Sequence, residues 1–109
     1  VDRDPLFGGL FENMVVADIL KRRLNAGLEP DMYFVRDYKG FEVDLLVENG
    51  RKTDLYEIKS SMSFNASFAS NIARLAELMP NAGRKTVVYS GESAAANGVE
   101  FANYANIPV

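Results

Sequence analysis

Phe41-Glu42-Val43-Asp44-Leu45-Leu46-Val47-Glu48-Asn49-Gly50-Arg51-Lys52-Thr53-Asp54-Leu55-Tyr56-Glu57-Ile58-Lys59-Ser60 is the stretch on which the reading of this chain turns. From Phe41 to Glu48 it alternates. Phe41, Val43, Leu45 and Val47 take one face, and Glu42, Asp44, Leu46 and Glu48 the other, as in a half-buried strand. Asn49-Gly50 is the strongest short hairpin signal a sequence can carry, and Thr53 to Ser60 reads as the return strand. A two-residue Asn49-Gly50 loop pairs Glu48 with Arg51, which predicts Asp44 opposite Leu55 and Glu42 opposite Glu57. Opposed side chains share a face and the period along a strand is two. Asp44, Glu57 and Lys59 are therefore expected on one face, Asp44 and Glu57 as a diagonal pair about 7 Å apart at Cα. One inserted residue would reverse that parity.

Upstream, Phe7 to about Ala26 predicts a helix, rich in Leu, Met, Ala, Lys and Arg and stopping at Gly27. Lys21, Arg22 and Arg23 sit toward its C-terminal end, where cations complement the helix dipole. Its first three turns are apolar nearly all round, which predicts a mostly buried helix. Pro30 breaks the chain, Met32 to Arg36 reads as a strand, and Asp37-Tyr38-Lys39-Gly40 as a turn. Downstream of Ser63 a second helix is expected to run to about Met79. Phe68, Ile72, Leu75, Ala76 and Met79 form its apolar stripe, and Pro80 with Gly83 ends it. Thr86 to Tyr89 reads as a short buried strand, 94–98 as a loop or short turn, and Val99 to Tyr104 as a last strand. The order α-β-β-β-α-β-β, with a crossover helix before the fourth strand, predicts an α/β domain built on a mixed sheet.

Composition narrows the function classes. The 109 residues, 48% hydrophobic and 25% charged, suit one globular domain. No apolar run approaches the roughly 20 residues a membrane span needs, and the start does not read as a signal peptide, so no membrane partner is expected. There is no cysteine, hence no disulfide framework or thiolate metal site, which fits a cytoplasmic protein. There is no histidine either, so any chemistry must run on carboxylates, lysine, hydroxyls and bound metal. A net charge of -3 argues against a free-standing, non-specific DNA binder. The chain lacks the Gly-x4-Gly-Lys-Ser/Thr loop and is not itself expected to be an ATPase. Both of its ends read as cut from something longer.

Three carboxylates, Glu42, Asp44 and Glu57, on one strand face call for an explanation, because neighbouring like charges repel. Solvent exposure is one, but the same face carries Leu46 and Leu55, and helices must pack somewhere. A divalent cation is the other. Mg²⁺ takes hard oxygen ligands, which suits Asp44, Glu57 and the carbonyl of Ile58. Lys59, two residues on, could hold an attacking water or meet a phosphate as a point cation. Glu12 has Val15, Val16 and Ile19 for helical neighbours, and a carboxylate there needs a partner. The helix dipole, a cation such as Arg36, or the same metal site would each supply one. Lys21, Arg22, Arg23, Arg36, Lys39, Arg51, Lys52, Arg84 and Lys85 are scattered basic residues, read equally as solvated faces or a phosphate-binding surface. Ser60, Ser61 and Ser63 read as a polar strand end and a helix cap.

Gly9-Leu10-Phe11-Glu12-Asn13, Tyr33-Phe34-Val35-Arg36-Asp37, Gly40-Phe41-Glu42-Val43-Asp44 and Tyr56-Glu57-Ile58-Lys59-Ser60-Ser61 together carry a family resemblance. The chain resembles the PD-(D/E)XK nuclease-like domain of unknown function that follows the ATPase module in a family of bacterial and archaeal AAA+ ATPases. The likeness runs from Phe7 to the terminal Ile-Pro. It implies a restriction-endonuclease-like mixed sheet with helices on both sides, over a single domain of residues 1–109. It further implies a catalytic set of Glu12, Asp44, Glu57 and Lys59, with Mg²⁺ or Mn²⁺ held by Asp44, Glu57, the Ile58 carbonyl and Glu12. Nucleic acid and the N-terminal ATPase module of a parent chain are the implied partners. Two functions are then open: a metal-dependent phosphodiester hydrolase, favoured by the four-residue set, and a non-catalytic recognition or regulatory domain, favoured by the acidic balance.

Overall fold

The computed structural model describes residues 5–34 and 45–107, with side chains from residue 7 onward. A long helix, α1 (Pro5–Asn25), leads into β1 (Met32–Phe34), β2 (Leu45–Asn49) and β3 (Lys52–Ile58). A short 3-10 turn and helix α2 (Ser70–Glu77) cross over to β4 (Ala82–Tyr89). The hairpin of β5 (Ala94–Ala96) and β6 (Val99–Asn103) closes the chain. The six strands form one sheet in the order β1-β2-β3-β4-β6-β5. β1, β2 and β3 pair antiparallel, β3-β4 and β4-β6 pair parallel, and β5 returns antiparallel along β6. The expected mixed α/β sheet is present.

Each helix covers one face of the sheet. Phe11, Val15 and Ile19 of α1 are buried at a spacing of four, against Leu45, Val47, Tyr56, Ile58, Val88 and Ile107. On the other face, Ala69, Ile72 and Leu75 pack against Leu55, Val87, Tyr89, Val99 and Phe101. Because both faces of β3 are covered, it is buried from Thr53 to Ile58, as a central strand of a two-sided sheet must be. The expectation that α1 is mostly buried does not hold: Phe7, Leu10 and Met14 are exposed, because one sheet face can cover only one stripe of a helix.

α1 ends as its sequence predicts. Gly27 takes φ +78, the Leu28 amide donates to the Arg23 carbonyl at 2.9 Å, and the Gly27 amide donates to the Leu24 carbonyl at 3.0 Å. This is the reciprocal closure that a glycine after the last turn allows. Arg23 is not a surface cation. It is 3% exposed, and its guanidinium donates to the Glu29 carbonyl through Nε at 3.0 Å and a terminal nitrogen at 2.7 Å. That terminal nitrogen also donates to the Glu48 carbonyl at 3.0 Å. One side chain thereby fastens the end of α1 to the loop after it and to β2.

The hairpin register differs from the predicted one. Asn49 pairs with Lys52 and Glu48 with Thr53, so the loop is Gly50-Arg51 rather than Asn49-Gly50. Leu55 accordingly faces Leu46, not Asp44. Only Gly50 has positive φ, at +68, whereas an Asn-Gly loop of the predicted kind needs it at both positions. The slip is by two residues in the pairing sum, so parity survives. Leu46 and Leu55 share the face on which Glu57 and Lys59 alternate. The predicted positions of Glu42 and Asp44, the turn at 37–40, and Arg36 lie outside the described residues.

Three other expectations are corrected. The second helix is shorter, because residues 66–69 form a 3-10 turn whose cap is Asn65, not a serine; its Oδ1 accepts from the Ser67 amide at 2.9 Å. β4 begins at Ala82, with Gly83 inside the strand instead of stopping the helix before it. A Cβ on Gly83 would lie 2.3 Å from Oδ1 of Asp54, an oxygen that accepts from the Arg84 amide at 2.8 Å. The missing side chain makes room for a buried carboxylate at the point where the β3-β4 register shifts. Lastly, 94–96 is a strand and not a loop. Asn97 and Gly98 take φ 54 and 75, the two positive values that a tight hairpin turn requires.

Asp54 also acts on its neighbour Tyr56. Burial, and then the Asp54 carboxylate, push the Tyr56 hydroxyl up to about 12. The native chain therefore keeps a proton that the unfolded chain releases from about pH 10 upward. The stabilisation is complete below pH 10 and lost as pH rises toward 12, a fall of about 2–3 kcal/mol. Urea denaturation between pH 9 and 11.5 should show this slope, and Tyr56→Phe should flatten it. An identical slope in both proteins would contradict the assignment.

Candidate active site

β3 runs through the middle of the sheet, and its residues alternate between the two packed faces. Tyr56 and Ile58 point to the α1 side, while Leu55, Glu57 and Lys59 belong to the α2 side. Glu57, paired in register with Val87 of β4, is 2% exposed. Lys59 lies one residue past the strand, its amide still donating to the Val88 carbonyl at 2.9 Å, so its backbone is held in the ladder. Its Nζ stands 3.3 Å from Oε2 of Glu57 and 5.6 Å from the centre of the Phe68 ring. The carboxylate is enclosed, whereas the Lys59 side chain is 40% exposed. The pair is thus a buried anion capped by a cation that water reaches. It lies at the end of the sheet where β3, β4 and β6 all have their carboxyl ends.

Such an arrangement has two chemical capacities. The ammonium, steadied over an aromatic face, can receive an incoming oxyanion as a point charge. The carboxylate beneath can present hard oxygen to a cation, or hold the lysine in place. Ile58 buries its side chain against the α1 layer, away from the Glu57–Lys59 pair. Glu12 is half-buried on α1, the helix covering the opposite face from Glu57. Asp44 lies outside the described residues. Among the described residues, no group of three or more acidic, histidine or cysteine side chains stands ready to hold a metal ion.

Among the described residues, the scattered basic residues differ in their surroundings. Arg22 is taken by Asp18 at 2.8 Å and Arg23 is internal, while Lys21, Arg51, Lys52 and Arg84 are exposed. Asp54 and Arg23 are the structurally engaged charges that sequence reasoning missed. An acid at the parity of Tyr56 and Ile58, on the face opposite Glu57, was the available signal for Asp54. Ser61 and Ser63 are engaged with each other: the Ser61 hydroxyl donates to the Ser63 carbonyl at 3.2 Å and accepts from its amide at 3.0 Å.

Fold and site together define a mixed α/β domain with an acid–lysine pair at the end of its central strand. The family description DUF4143, a domain of unknown function, matches residues 7–107, and the chain belongs to that family. Searches of curated proteins and of solved structures return no match. Among the described residues, no helix is long and apolar enough to cross a membrane.

Proposed function

We propose that this domain is a nuclease-like phosphodiester hydrolase of the restriction-endonuclease-like type, with Glu57 and Lys59 at the centre of its site. The observation carrying this reading is the enclosed Glu57 carboxylate, 3.3 Å from the half-exposed Lys59 ammonium at the carboxyl end of β3. The Glu57-Ile58-Lys59 spacing puts acid and lysine on one strand face, as the PD-(D/E)XK pattern requires. A mixed sheet with a helix on each face is also the architecture that pattern implies. The sequence resemblance further supports a parent chain carrying an AAA+ ATPase module.

The donor set fits a hard divalent cation in kind: Glu57 offers carboxylate oxygen, Ile58 its carbonyl, and Asp44 a second carboxylate expected from the strand parity. Glu12, on the helix over the other face, is left out of this set. Bound Mg²⁺ or Mn²⁺ would lower the pKa of a water and neutralise phosphate charge. Lys59 would orient the phosphate and the attacking water. Glu57 would hold Lys59 in place.

In a cleavage assay with Mn²⁺ on single- and double-stranded DNA and RNA, Glu57→Ala and Lys59→Ala should each lower the rate at least about 100-fold, as loss of a charged transition-state contact does. Both variants should retain cooperative unfolding. Cleavage at the wild-type rate in Glu57→Ala removes the proposal.

A second reading is a non-catalytic domain that recognises nucleic acid or a protein, including its own motor module. The Glu57–Lys59 pair favours it, because the cation is already engaged by a carboxylate, and so does the net charge of -3. Binding of nucleic acid without cleavage would mark this outcome.

A further inference from the structure

Past the carboxyl ends of the parallel strands the structure has a concave feature that the hydrolase reading does not use. Met62, Ser90, Gly91, Glu92, Ser93, Asn103 and Asn106 line a crevice of about 490 Å³. It lies beyond the carboxyl ends of the parallel strands β4 and β6, with Met62 contributed by the chain leaving β3. Ligands of open α/β sheets bind outside the carboxyl ends of the strands. The volume falls within the range of about 300–1,000 Å³ found for small-molecule sites.

The wall of this crevice is fixed from three sides. The Tyr89 hydroxyl donates to the Glu92 carbonyl, the Asn103 amide donates to the Gly91 carbonyl at 2.8 Å, and the Ser90 amide donates to the Ser61 carbonyl at 3.0 Å. A Cβ on Gly91 would meet the Met62 carbonyl and the Tyr89 ring, each at 2.7 Å, so the loop packs too closely for any other residue. Pre-organisation of this kind lowers the ordering cost of binding.

The lining selects the ligand. Among the described residues it holds no lysine or arginine and one glutamate, which disfavours a phosphate. Serine hydroxyls and asparagine amides both donate and accept, and among the described residues no hydrogen bond occupies the side chains of Ser93 or Asn106. Met62, 72% exposed, offers a soft apolar surface against which a flat ring can lie.

We propose that this crevice binds a nucleobase of the strand whose phosphate meets Lys59. Asn106 and Ser93 read its hydrogen-bonding edge and Met62 supports its face. The proposal rests on the nucleic-acid reading above, and names the subsite that reading lacks. Stacking plus edge contacts is how single strands are commonly held.

The test is a metal-free amide NMR titration of the 109-residue chain with adenosine, guanosine, cytidine, uridine and, separately, ribose 5-phosphate. At least one nucleoside should shift the amides of Met62, Ser90–Ser93, Asn103 and Asn106. Asn106→Ala and Ser93→Leu should weaken it by about 5-fold or more, the loss expected for a hydrogen bond or a filled site, with spectra otherwise native. Nucleoside binding is read without metal and without a scissile phosphate, so failure of hydrolysis and failure of this subsite are read separately. The proposal is overturned if no nucleoside shifts these amides, if the two crevice variants bind like wild type, or if ribose 5-phosphate gives the same shifts as the nucleosides.

Discussion

Replacing Arg23 by alanine is expected to lower the stability of the domain by about 3 kcal/mol, since hydrogen bonds from a charged donor contribute about 1.5–3 kcal/mol each and are not additive. The guanidinium is buried and donates three times, to the carbonyls of Glu29 and Glu48. Without it both carbonyls lose a charged donor at the seam between α1, the following loop and β2. Arg23→Lys should recover only part of the loss, because a single ammonium on a flexible stem cannot reproduce the planar fork. Urea denaturation at neutral pH measures the difference directly. An alanine variant within about 0.5 kcal/mol of wild type, the range of ordinary surface substitutions, would show that the bonds do not hold the seam.

Gly83→Ala is the second large effect, about 2–3 kcal/mol of destabilisation, in the range of overpacked interiors. The added methyl would stand 2.3 Å from the Asp54 carboxylate and 3.0 Å from the Lys52 Cβ. The carboxylate cannot simply swing away, since Oδ1 accepts from the Arg84 amide at 2.8 Å and Oδ2 from the Asn49 amide at 3.4 Å. Asp54→Ala alone should also destabilise, by leaving the Arg84 amide without this acceptor. The double variant should then be less harmed than the sum, because removing the carboxylate removes the clash. Additive losses in that cycle would place the strain elsewhere.

These two positions show what the sequence conceals. Arg23 looked like one of three cations at a helix end, because local spacing says nothing about which of them a later strand will cover. Gly83 looked like a helix stop, because its purpose depends on Asp54, far off in the chain. By contrast the helix bounds near Gly27 and the crossover before β4 followed from local patterns, capping and period, and agree with the structure within a few residues. The Asn-Gly pairs divide the same way. At Asn97-Gly98 both residues turn with positive φ and make the hairpin, although the alanines before it carry little strand preference. At Asn49-Gly50 the asparagine stays in the ladder opposite Lys52, its amide on Asp54, and the turn moves on by one.

For the site, the two-residue period put Glu57 and Lys59 on one face, and the structure brings them to 3.3 Å. The enclosure of Glu57 was not legible, because it depends on elements far off in the chain closing over β3. Glu12 was placed on its helix, but the layer that helix would cover could not be read from a wheel. Asp44, the remaining member of the set, lies outside the described residues.

Calorimetric titration of Mn²⁺ into the wild-type chain, Asp44→Asn and Glu57→Ala is the most direct test of the central claim. Saturable binding in wild type that is lost in both variants is the predicted result. Absence of binding in wild type, or binding that survives in Glu57→Ala, would contradict a metal-dependent site at the end of β3.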